Sequence, residues 1–196
     1  MPKRAFFLVG LLVLLALACV SSGPRQTEEG QRIGHWVVSQ WLQPRPDRPV
    51  SLVVREKNGQ RRVLLRDGDR PERLLGTMTR GLGADIPLET FFVQVQETRF
   101  IVFYVPAEIA DRARAVQVYA LDPLYSDPAQ STVLKSVGFD KNGLGVMPIF
   151  PKEFDNWSHL TSVLIYTHDI DAAPLVEEVF DPPLPIAARF QPVALP

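Results

Sequence analysis

The chain has 196 residues, a formal net charge of −1 and a single cysteine. That balance is too mild for a nucleic-acid partner, and one thiol excludes an intramolecular disulfide framework. Eighteen prolines against twelve glycines argue for many short elements and few long helices, and an apolar fraction of 46% excludes a disordered chain.

Residues 1–18 read as a leader. Lys3 and Arg4 form a basic head, an unbroken apolar run follows from Ala5 to Ala18, and small residues precede the cut. Extended through Val20 the run is 16 residues, short of the roughly 20 that span a bilayer. It closes on LALAC, Leu15 to Cys19, which resembles the lipobox of bacterial lipoproteins, with Ala18 directly before the cysteine. The resemblance implies cleavage before Cys19 and both diacylglyceryl and N-acyl modification of that residue. It also implies an address. Aspartate after the cysteine retains such proteins in the inner membrane; Val20 stands there, which points to the outer membrane, periplasmic side. Two acyl chains already anchor stably, at about 0.8 kcal/mol per buried methylene. An ordinary cleaved signal, giving a secreted or periplasmic protein, and an uncleaved N-terminal anchor are the alternatives.

With the leader gone, Lys3 and Arg4 leave too, so 21 basic residues become 19 against 22 acidic, a net charge of −3. Residues 19–31 form the lipidated cysteine and a polar, aperiodic tether, whose coil reaches roughly 20 Å. Residues 32–196 form one domain. HWVVSQW, within Arg32 to Leu42, predicts a first strand, and Gln43 to Pro49 is a proline-rich loop. SLVVREK, Asn58-Gly59 and QRRVLLRD predict a β-hairpin on a type I′ turn. That pairing puts Leu52, Val54, Val63 and Leu65 on the core face and Glu56 opposite Arg61. Arg55, Arg62 and Arg66 then share the other face, around Val53 and Leu64.

Pro71 to Leu75 reads as a brief helical turn. TFFVQVQ and RFIVFYV, between Glu89 and Val105, predict two central strands turning near Glu97 and Thr98. Pro106 to Arg114 predicts one or two helical turns, and Ala115 to Leu121 alternates as a strand. Asp140 to Gly143 predicts a second hairpin between Ser131–Phe139 and Gly145–Phe150. A short helix around Trp157, a strand over Thr161 to Thr167, a helix from Pro174 to Phe180 and an extended proline-rich tail complete the reading. Short strands at this spacing indicate an all-β fold, an antiparallel β-sandwich with a few short helices. A partly closed barrel and an α+β layer are the alternatives.

Chemistry-bearing residues are sparse. Thr167-His168-Asp169-Ile170-Asp171 offers an imidazole and two carboxylates, so His168, Asp169 and Asp171 are the metal candidates, with His159 able to approach. A turn capped by aspartates explains the same residues more simply. Ser126, Ser131 and Ser158 lack a nucleophile-elbow framework. Gly81-Leu-Gly83 and Asp67-Gly68-Asp69 read as turns rather than as phosphate or calcium loops. Seven arginines, at 55, 61, 62, 66, 70, 73 and 80, fall within 26 residues. Guanidinium forks match phosphate and carboxylate, so Arg55, Arg62 and Arg66 are the candidates for an acidic partner or an anionic headgroup. A hairpin face kept charged against edge pairing is the plainer reading.

These features indicate a non-enzymatic, lipid-anchored interaction or assembly module that contacts the membrane through its anchor and another envelope protein through its domain. No cofactor is expected beyond the Cys19 acyl groups. A lipid- or glycan-binding carrier, with a cavity lined from Phe91–Val105 and Ala115–Leu121, is the second reading, and a metal-dependent hydrolase the third.

Overall fold

The computed structural model describes residues 30–82, 86–121, 132–167 and 173–195. Its first sheet runs in the order β1 (Gln31–Val37), β2 (Val50–Lys57), β3 (Gln60–Asp67) and β4 (Arg73–Thr77), all neighbours antiparallel. Asn58 and Gly59, at φ 54° and 73°, make the expected turn, and Glu56 lies opposite Arg61. Leu52, Val54, Val63 and Leu65 are buried on one face, as the alternation predicts. β4 replaces the helical turn expected at 71–75. Its reason is contact: a Cβ on Gly76 would sit 2.6 Å from the Phe91 ring, so this strand is pressed flat onto the sheet beneath.

The middle sheet is built on β6 (Glu89–Val95) and β7 (Thr98–Tyr104), which turn at Gln96-Glu97, one residue before the expected place, with Gln96 at φ 53°. β10 (Leu144–Ile149) pairs with the far side of β7. The other edge of β6 receives two short strands, β5 (Thr79–Arg80) antiparallel and β13 (Gln191–Val193) parallel. Both faces of this sheet are covered. Phe91, Val93, Val95, Phe100, Val102 and Tyr104 join the first sheet's apolar face, while Phe92, Ile101, Phe103 and Val105 join a second core. Double-sided burial explains why RFIVFYV shows no alternation: every position from Phe100 to Val105 is buried and needs an apolar side chain.

The third sheet has the order β12 (Val176–Pro185), β11 (His159–Tyr166), β8 (Ala115–Leu121), β9 (Thr132–Gly138). Val116, Val118, Ala120, Leu160, Val163 and Ile165 fill its side of the second core, around a fully buried Trp157. The fold is therefore all-β, a sandwich extended to three layers with two cores and no closed barrel. Among the described residues the α-helical content is one turn, α1 (Ala107–Ala110), inside the segment where a helix was expected. Short 3-10 turns at Pro151–Glu153 and Asn156–Ser158 stand for the helix expected around Trp157. No helix among the described residues is long and apolar enough to cross a membrane.

Two further expectations fail. β9 and β10 flank the expected turn but do not pair; they belong to different sheets, as edge strands of the third and the middle. They approach closely near the turn, where a Cβ on Gly145 would lie 2.9 Å from Val137, and farther along are joined by the Lys135 side chain, which reaches the Pro148 carbonyl. The helix expected over 174–180 is the start of strand β12, paired with β11 through Val179 opposite Ser162 and Val176 opposite Ile165. An open edge on β11 is worth more, filled by a strand, than the helix propensity of a seven-residue stretch.

Phe103→Ala removes a ring that is wholly buried and is expected to cost about 3–5 kcal/mol. Val179→Thr, at a side chain 67% exposed, is expected to cost less than about 0.5 kcal/mol. Urea unfolding of the two variants checks the difference.

Candidate functional site

The arginine cluster resolves into bracing and a smaller exposed remainder. Arg55 sits on the outward face of β2, where its guanidinium grips both carboxylate oxygens of Glu72, at 2.7 and 3.2 Å, and donates to the Gly30 carbonyl at 2.9 Å. Arg61 lies 3.6 Å over the Tyr104 ring and donates to Glu89 at 2.8 Å. Burial opposes the Arg61 charge, but Glu89, Tyr104 and Glu56 outweigh it and hold its pKa above the ordinary value. Arg73 donates to the Ala194 carbonyl at 2.8 Å, tying β4 to the C-terminal tail. Arg66 is exposed, with a 3.3 Å bond to the Gly68 carbonyl, and Arg62 is half-buried beside it on the same face. Arg32, Arg55 and Arg62 stand in one row across β1, β2 and β3, so the outward face of the first sheet is basic.

The other sequence candidates scatter. Cys19, Ser126 and Ser131, and the metal candidates His168, Asp169 and Asp171, lie outside the described residues. His159 is half-buried at the start of β11, with Ser158 Oγ 3.0 Å from its Nδ1. The same hydroxyl lies 3.1 Å from the Asp155 carbonyl, so the carbonyl and the imidazole are both within its hydrogen-bond reach. Asp67 is buried and accepts from Arg48 and Arg70, so it is an ion-pair acceptor at a turn, as the simpler reading had it. Among the described residues no three His, Cys, Asp or Glu side chains converge as metal ligands.

Cations also rim the second core. Arg99 lies 3.8 Å over Phe154, and loss of hydration there pulls its pKa down. Lys135, on the inward face of β9, donates at 2.8 Å to both the Pro148 carbonyl and Glu153, and Glu153 in turn accepts the Phe150 N–H at 2.8 Å. The ammonium thus clips the parted edges of β9 and β10 together. Beside it opens a groove of about 630 Å3 whose walls include Trp36 and Trp41 on one side and Leu134 and Val137 on the other.

A second cavity, about 290 Å3, occupies a break in the strand pairing along β6. β5 covers Glu89 and Thr90, β13 covers Val93 to Val95, and Phe91 and Phe92 have no strand partner on that side. Thr77, Thr79, Gly81, Thr90, Arg189 and Gln191 line the opening. The Thr90 side chain is 2% exposed, and its hydroxyl is buried with no hydrogen-bond partner. Arg189 Nη1 donates to the Gly81 carbonyl, and its guanidinium stands 5.8 Å from the Phe92 ring centre. Sequence reading treated Gly81 as a turn residue and gave Arg189 no role. The available signal was a glycine between two threonine-bearing strands, but its partner lies 108 residues away.

Searches against protein-family models, curated proteins and solved structures find no match to this chain.

Lys135→Met leaves the Pro148 carbonyl and Glu153 without their shared cation in a site where the two side chains are 19% and 27% exposed. The expected loss is about 1–3 kcal/mol, read as a lower urea midpoint, with Glu153→Gln losing less because an amide oxygen still accepts from Phe150.

Proposed function

We propose that the chain is a lipid-anchored envelope lipoprotein. In this reading it acts as a non-enzymatic interaction or assembly module at the periplasmic face of the outer membrane. One observation carries it: the apolar leader ends at the only cysteine of the chain, with Ala18 before it and Val20 after it. The diacylglyceryl and N-acyl groups on Cys19 are its membrane contact. Ordered structure follows closely, since β1 begins at Gln31. β1 is an edge strand of an outer sheet.

The partner in this reading is another envelope protein with an acidic surface. Arg66, exposed on the outward face of the first sheet, is the side chain offered to it most openly, with Arg62 half-buried on the same strand. Arg55 is engaged by Glu72 and shapes that face rather than reaching from it. The exposed side chains of Val37 and Leu74 border the same face and add apolar contact. The carrier reading has less support. Phe92, Ile101, Phe103, Val116 and Val118, which were to line a cavity between sheets, are packed into one core.

Membrane fractionation with intact-mass measurement tests the anchor. The wild type is expected in the outer membrane with a mass increment of several acyl chains, and Cys19→Ala is expected to lose both. A soluble, unmodified wild type contradicts the reading. Cross-linking from the anchored protein tests the surface: Arg62→Glu with Arg66→Glu is expected to reduce capture of the partner, and unchanged capture removes the arginines from it.

A further inference from the structure

The break along β6 has the composition of a binding site and not of a packing defect. Its volume, about 290 Å3, is several times the roughly 30 Å3 share of one water, so it has room for a small polyatomic ligand in place of several waters. Its polar groups converge. The position of a Cβ built on Gly81 lies 3.0 Å from Thr90 Oγ1 and 3.5 Å from Arg189 Nη1, so hydroxyl and guanidinium face one another across the space that a missing side chain leaves open.

Two features show that these groups await a ligand. The Thr90 hydroxyl is buried and unsatisfied, which costs about 1–3 kcal/mol unless something bonds to it. Arg189 forms no ion pair among the described residues; its one protein acceptor is a neutral carbonyl. A guanidinium has five donor hydrogens, so most of its capacity remains for an anion. Strand alternation also turns the backbone N–H of either Phe91 or Phe92 toward the unpaired side of β6.

The chemistry selects the ligand class. Thr77, Thr79 and Gln191 also line the opening, from β4, β5 and β13, so residues able to donate surround it rather than lie in one plane. That arrangement suits a tetrahedral oxyanion better than a flat carboxylate. A sugar would need an open aromatic face to stack on, and Phe91 and Phe92 are only 5% and 7% exposed. We propose that the gap between β5 and β13 binds a phosphate group, held by Arg189 and the Thr90 hydroxyl. The group is either free phosphate or the headgroup of a phospholipid.

The test is calorimetric titration of the full-length protein with inorganic phosphate and, separately, with a short-chain phosphatidylglycerol kept below its micelle concentration. Two variants accompany it. Thr90→Val removes the hydroxyl at constant shape; because that hydroxyl is unpaired, the free variant is expected to melt at or above the wild-type temperature. Gly81→Ala places a methyl group between hydroxyl and guanidinium without removing either. Saturable one-to-one binding of at least one ligand is expected, weakened about tenfold or more in both variants. Binding of phosphate alone identifies a free anion, and tighter binding of the short-chain lipid identifies a headgroup; each outcome supports the site. No saturable binding of either ligand, or binding indifferent to both variants, overturns it, and a Thr90→Val variant that melts well below wild type shows that the hydroxyl is satisfied by structural water instead.

Discussion

A β-sheet buried on both faces has no solvent side on which to put a polar residue. β6 and β7 are in that position, and the rest of the molecule answers to it. Phe100, Val102 and Tyr104 need a cover on one face; Ile101, Phe103 and Val105 need one on the other. The chain supplies a hairpin-based sheet for the first face and a crossover sheet for the second. Each outer sheet is then free to be amphipathic, and the basic outward face of the first sheet is one result. Burial of this kind also makes the edges of the middle sheet the places where polar backbone must be satisfied by other means.

Those edges are handled differently. At β10 the Asp140 side chain accepts the Leu144 N–H at 3.0 Å, Pro148 has no N–H to offer, and Lys135 takes the Pro148 carbonyl. That edge is closed to further strands. At β6 the chain covers the edge twice with short pieces, one from residues 79–80 and one from the C-terminal tail, and leaves a gap between them. The gap holds Thr90 and Arg189.

Legibility from sequence followed the locality of the cause. The β2–β3 hairpin was readable to the residue because its turn, its alternation and the Glu56–Arg61 pair all sit within a short span. The apolar run of β7 showed that a strand was central but not that it separated two cores, since one-sided and two-sided burial differ only in what lies far away in sequence. β12 was misread because its pattern is inverted: Val179 points to solvent while Glu178, its neighbour, is half-buried, so neither period stands out. The turn at 140–143 was read correctly, yet the strands beside it join different sheets. Among the candidate residues, acid–arginine pairs such as Arg55–Glu72 were hidden by separations of 17 residues or more, and so a set of structural braces looked like a surface cluster.

One sheet that walls two cores is expected to make the domain a single cooperative unit. Trp157 is buried in the core between the middle and third sheets, whereas Trp36 and Trp41 pack against the core between the first and middle sheets. Urea unfolding would be followed by fluorescence in two variants, Trp157→Phe and the double Trp36→Phe, Trp41→Phe, with far-ultraviolet circular dichroism correcting each for its own stability. In each variant the fluorescence and dichroism transitions are expected to superimpose, because neither core survives loss of the shared wall. A fluorescence transition that precedes the dichroism transition in one variant and follows it in the other would contradict it.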